Sequence, residues 1–188
     1  MKDKNEKVLE AWLGGKVVRF HGRPYMVHTV GEHSHGVALL ILRFFPNASK
    51  DLIAAALYHD LAELRVGDLP YMIKLANPEL KKVHSKLEED ELKYLDIHIH
   101  LNPYEESILK MCDMVELFLH SVYHYQQGQQ GALVPIKNAI SALVTMFGPT
   151  EQSRNMEDFV GEVAGMIGFN INDFRSNSRA ELVKGYNA

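Results

Sequence analysis

Residues 36–45, GVALLILRFF, and residues 50–60, KDLIAAALYHD, are separated only by the turn PNAS. The first is apolar on nearly every face of a helix and the second reads as another buried helix, and such helices persist only where other protein covers them. Two in succession require a helical core and leave little of the chain for a sheet. Their flanks carry helix-start chemistry. Thr29 and Glu32 in TVGE have the capping-box spacing, and Ser49 stands where an N-cap belongs.

The rest of the chain follows the same rules. KNEKVLEAWL reads as a first helix stopped by Gly14 and Gly15. Residues 16–28, with Gly22 and Pro24, read as an irregular connection with a short extended piece. Asn77-Pro78 and Asn102-Pro103 each place a capping residue before a proline at the first helical position. That predicts helices over 78–95 and 103–126. The loop QQGQQG then precedes two further helices, over 132–147 and 154–185. No repeat, linker or alternating strand pattern intervenes, so the expected fold is all-α, one domain over 1–188. A chain of 188 residues suits one such core.

Charge and cysteine content narrow the function. A net charge of −4 argues against polymeric nucleic acid or an anionic membrane as partner. The single cysteine, Cys112, excludes an intramolecular disulfide and reads as a buried thiol. The first residues resemble no signal peptide, and no apolar run spans a membrane. The expected location is the cytoplasm.

Three places set metal-type ligands against apolar helices. His33 lies in the first turn of one, His59 and Asp60 close the next, and Asp113 sits inside ILKMCDMVELFL. Two imidazoles and two carboxylates suit one divalent ion, with Mn, Fe, Co or Zn fitting the mixed donors. Adjacent side chains on a helix diverge by about 100°, so His59 and Asp60 reach one ion only at a helix end. The break at VGD supplies that end. Glu63, one turn after His59, shares its face and could orient a water. Asp68, beyond the glycine, could act as acid or base. Arg19, Lys74 and Lys110 are available to hold phosphate oxygens.

The blocks TVGEHSHGVALL, AALYHDLAELRVGDLP and LKMCDMVEL, in this order, resemble the HD-domain metal phosphohydrolases. They are most similar to the nucleotide branch, which holds bacterial 5′-deoxynucleotidases and phage deoxynucleoside triphosphate hydrolases. The resemblance runs over about 16–128. It implies an HD-domain helical bundle and one divalent ion (Co, Mn, Zn, Fe or Mg) held by His33, His59, Asp60 and Asp113. It also implies Glu63 and Asp68 as catalytic carboxylates and Arg19 on phosphate. Phe20 stands where several relatives have a tryptophan near the sugar or base. Leu64 replaces the second acid of the enzymes that act on ppGpp and counts against that substrate.

The expected activity is hydrolysis of a deoxynucleotide at the α-phosphorus. Lys74, Lys81, Lys82 and Lys110 could accommodate a longer anion, which favours a dNTP triphosphohydrolase. The alternative is a 5′-deoxynucleotidase releasing phosphate from dNMPs, and a further one is a non-catalytic nucleotide- or metal-binding protein. A homo-oligomer is expected. His120 is about 10 Å along its helix from Asp113, so His120 and His124 read as a surface or subunit-contact pair.

Overall fold

Side-chain caps start most of the long helices. The computed structural model describes residues 4–19 and 27–175. Helix α1 covers Lys4–Gly14. Two-residue strands follow, β1 (Val18–Arg19) and β2 (His28–Thr29), paired antiparallel with Val18 opposite Thr29 and Arg19 opposite His28. Helix α2, Val30–Phe44, begins at a complete capping box: the Thr29 N–H donates to Glu32 Oε2 at 2.8 Å, and the Glu32 N–H to Thr29 Oγ1 at 3.2 Å. In α3, Lys50–Tyr58, Ser49 Oγ accepts the Leu52 N–H at 3.0 Å.

Short helices α4 (Glu63–Val66) and α5 (Tyr71–Ala76) lead into α6 (Pro78–Tyr94). Helix α7, Pro103–Gln126, opens with Asn102 accepting from Tyr104 and Glu105 while the Glu105 carboxylate accepts the Asn102 N–H. A 3-10 turn, Gln130–Ala132, precedes α8 (Leu133–Met146). Thr150 caps α9, Glu151–Met166, and a second 3-10 turn covers Ile171–Phe174. The fold is all-α, apart from the small β1–β2 ladder.

The chain divides into two compact units. One holds the residues up to Ala38 with Ser49–Leu101, the other Leu39–Ala48 with Asn102 onward. In the first unit the apolar core includes Val30, Val37, Leu52, Ala56 and Ala62. In the second, Val115 and Phe118 of α7, Ile136, Ile140 and Leu143 of α8, and Met156 and Val160 of α9 are shut from solvent. Among the described residues no helix is long and apolar enough to cross a membrane.

Several expectations are corrected. Helix α2 is not covered all round: Leu39 is 59% exposed and Leu42 53%, on a stripe with His35 and Arg43. Apolar composition says that a helix has a buried face, and neighbours decide how wide it is. In α3 only Leu52, Ala55 and Ala56 are buried. Asn77 makes no side-chain cap; its amide donates backwards to the Ile73 carbonyl at 3.2 Å, because α5 ends just before it. The last helix starts earlier than expected and stops at Met166, ahead of Gly168 at φ 83°. Residues 176–185 of that expectation lie outside the described residues, as does Phe20.

Candidate metal centre

The capping box at Thr29 places His33 in the first turn of α2, pointing inward and 1% exposed. Helix α3 ends at Tyr58, so His59 and Asp60 lie in the turn that follows rather than in the helix itself. There the hydrogen bonds tighten, from His59 N–H on the Ala55 carbonyl four residues back to Leu61 N–H on the Tyr58 carbonyl three back, and two adjacent side chains can converge. They do. His33 Nε2 and His59 Nε2 are 3.2 Å apart, and Asp60 Oδ2 is 3.6 Å from the first and 3.4 Å from the second.

These spacings are close to those around a cation, the His33–Asp60 one being the widest. An ion about 2.1 Å from each donor sets neighbouring ligand atoms about 3.0–3.4 Å apart, in octahedral or tetrahedral geometry. The imidazoles are also turned correctly. His59 Nδ1 is 3.0 Å from the Ala56 carbonyl, an acceptor only, so Nδ1 carries the hydrogen and Nε2 presents its lone pair to the cluster. The His28 ring packs edge-on to His33, 5.8 Å between centroids, and limits its rotation. Two nitrogens and a carboxylate oxygen suit a divalent ion of borderline hardness, and three protein donors leave positions open for water or substrate.

Arg19, at the end of β1, reaches the same carboxylate, with Nη1 3.1 Å from Asp60 Oδ2. Glu63 opens α4, three residues after Asp60, and is only 4% exposed. Burial is the main force pushing its carboxyl up to about 8. The negative charges of Asp60 and Asp68 add to the rise, while Arg19 and Lys74 oppose it. Four of the residues singled out in the sequence therefore act on the ionisation of a fifth. Glu63 Oε2 is buried without a hydrogen-bond partner, a costly arrangement for a carboxylate unless a water or cation meets it.

The remaining candidates are placed differently. Lys74 pairs with Glu88, Nζ 3.4 Å from Oε1. Asp68 is half-buried just past Gly67. Lys110 is 71% exposed and 3.9 Å from Glu106 on its own helix. Asp113 is half-buried in α7, in the other unit, and its place among the ligands rests on the family resemblance. Beside it the Cys112 thiol is fully buried and pushed up to about 12, chiefly by burial and then by the Asp113 charge. Sequence reasoning missed His28 and His84, both buried. A histidine directly before the capping threonine, and a His-Glu pair four apart on α6, were the available signals.

An all-helical chain with His33, then His59-Asp60 at a helix end, has the architecture of the HD-domain superfamily. More specifically, this chain belongs to the 5′-deoxynucleotidase YfbR-like family, whose model matches residues 19–163. It is also similar to a 5′-deoxynucleotidase of Pasteurella multocida (strain Pm70), 25% identical over 125 aligned residues. That alignment takes in 54% of this chain and 64% of the relative.

Proposed function

We infer that the protein is a divalent-metal-dependent 5′-deoxynucleotidase, hydrolysing dNMPs to deoxynucleoside and inorganic phosphate. The observation that carries this is the convergence of His33, His59 and Asp60 beside the buried Glu63, in a chain whose family is described by that activity. The lysines that favoured a triphosphate in the sequence lend it less support in the fold. Lys110 faces Glu106, and Lys81 and Lys82 are exposed on α6; of the four, Lys74 is the one whose charge acts on Glu63. The monophosphate reading is therefore preferred over the dNTP triphosphohydrolase.

His33, His59 and Asp60 would hold the ion, with Asp113 as the fourth ligand by family resemblance. When bound, a divalent ion lowers the pKa of a coordinated water and offsets charge on a phosphoryl oxygen. Glu63, whose carboxyl burial and the Asp60 charge push up to about 8, would act in its ionised form, which a bound cation would favour. The carboxylate then accepts a proton from the attacking water. Asp68 supplies the second acid–base group: it would give the departing 5′ oxygen a proton drawn from solvent, and Glu63 would release to solvent the one taken from water, so the protons balance. Arg19 orients Asp60 and offers its guanidinium to phosphate oxygens. Phe20 is retained from the resemblance as a contact for sugar or base, and Lys74 and Lys110 as auxiliary phosphate contacts. The cytoplasm and a homo-oligomer complete the proposal; light scattering at micromolar concentration is expected to give more than one chain mass.

The test is product analysis. Each dNMP, ribonucleotide and dNTP is incubated with the protein under Co, Mn, Zn, Fe and Mg, and the products are identified. Phosphate release from dNMPs is the expected outcome. Triphosphate release from dNTPs with dNMPs untouched would overturn this reading in favour of the triphosphohydrolase.

A further inference from the structure

Helix α6 buries one side chain, His84, on a helix whose nearby apolar residues Val83 and Leu87 are exposed. A buried imidazole on a mostly solvated helix calls for polar partners, and it has them. Nε2 lies 3.1 Å from the Gly67 carbonyl. Since that oxygen only accepts, Nε2 carries a hydrogen and donates it. Nδ1 is 2.9 Å from Glu88 Oε1, without the alignment of a hydrogen bond. The same Glu88 oxygen accepts from Lys74 Nζ at 3.4 Å.

Gly67 is the sensitive point. At φ 77° and ψ 154° it adopts a backbone conformation essentially confined to glycine, and glycine is the residue with most freedom to leave it. Its N–H donates to the Glu63 carbonyl at 2.9 Å. Its own carbonyl lies in the rigid peptide plane that carries the Asp68 nitrogen and Cα. A hydrogen bond on that carbonyl therefore fixes the direction in which Asp68 leaves the turn. One buried ring thus reaches toward two of the candidate site residues: Asp68 through Gly67, and Lys74 through Glu88.

We propose that His84 is a positioning residue that aims Asp68 and Lys74 at the substrate. The proposal rests on the deoxynucleotidase reading, in which Asp68 handles a proton and Lys74 a phosphate. It is separable from it, because the strap on Gly67 can be measured without turnover.

His84→Phe keeps the ring volume and removes both nitrogens, while His84→Gln retains an N–H for Gly67. In the metal-loaded full chain, H84F is expected to speed hydrogen exchange at the Gly67 amide. It should also lower kcat/KM on dNMP by roughly 10- to 10²-fold, the size of loss that small misplacements cause. Metal content should stay at the wild-type level, and H84Q should recover most of both losses. Glu88→Gln spares the ring and should raise KM severalfold with kcat little changed. Unaltered Gly67 exchange in H84F overturns the proposal whatever the activity. So do equal losses in H84F and H84Q that merely track the folded fraction. Should H84F not fold, an unchanged KM in E88Q overturns the Lys74 arm, and unaltered Gly67 exchange in H84Q with full loss of turnover overturns the Asp68 arm. If the wild type hydrolyses no dNMP, the functional reading fails and Gly67 exchange alone decides the strap.

Discussion

At the scale of single residues, Glu63 is where burial and charge are most at odds. Its carboxyl moves from an ordinary value of 4.5 to about 8 in the fold. Between those values the folded chain holds a proton that the unfolded chain has released, so fewer protons are bound on unfolding. Stability from this group is therefore greatest below about pH 4.5 and falls as pH rises toward 8, at no more than about 1.4 kcal/mol per unit. The prediction applies to protein stripped of metal, because a cation beside Asp60 would favour the carboxylate. Glu63→Gln, uncharged throughout, should flatten that part of the profile. Urea unfolding at pH 5 and pH 8 in a chelator measures it, and a slope unchanged by the substitution would show that Glu63 is not the group responsible.

At the scale of elements, the His59–Asp60 turn is braced by α1. Gly14 closes that helix against the residue following Asp60: a Cβ there would stand 2.7 Å from the Leu61 carbonyl oxygen and 3.2 Å from its Cα. Backbone cannot yield as a flexible side chain does. Gly14→Ala should cost about 1–3 kcal/mol of stability, in the range of overpacked sites, and weaken metal binding by shifting the turn. Gly15→Ala meets the Trp12 carbonyl at 3.4 Å and the Gly31 backbone at 3.7 and 3.9 Å, ordinary van der Waals distances, and should be mild. Urea midpoints of the two variants make the comparison, and equal midpoints would refute the bracing role. The elements themselves were largely legible, because Ser49, Asn102 and the Thr29–Glu32 pair act through local hydrogen bonds that sequence spacing encodes. Helices α4 and α5 were not, since four and six residues carry too little periodicity to register. In the same way the convergence of His59 and Asp60 was legible from their place before a break, whereas the burial of His84 was not. Its hydrogen-bond partner is the Gly67 carbonyl, seventeen residues away in sequence.

At the scale of the whole molecule, metal binding and folding should be one equilibrium. His33 on α2 and the His59-Asp60 turn after α3 come from separate segments, and only the folded chain holds their donor atoms 3.2–3.6 Å apart. An ion that binds this arrangement and not the unfolded chain stabilises by about 2.7 kcal/mol at a hundredfold excess over Kd. Chelated protein should therefore melt lower, and added Mn or Co should raise the midpoint in a concentration-dependent way. Asp60→Ala removes a donor atom and should abolish the rise together with turnover. Glu63→Ala should retain most of the rise while turnover falls about 10²–10⁴-fold, the usual contribution of an acid–base group. Scanning calorimetry on both variants with metal content measured alongside separates holding the ion from moving the proton. If Asp60→Ala still shifts as the wild type does, the ion is held elsewhere. If Glu63→Ala loses the shift, Glu63 is a ligand and the proton falls to Asp68.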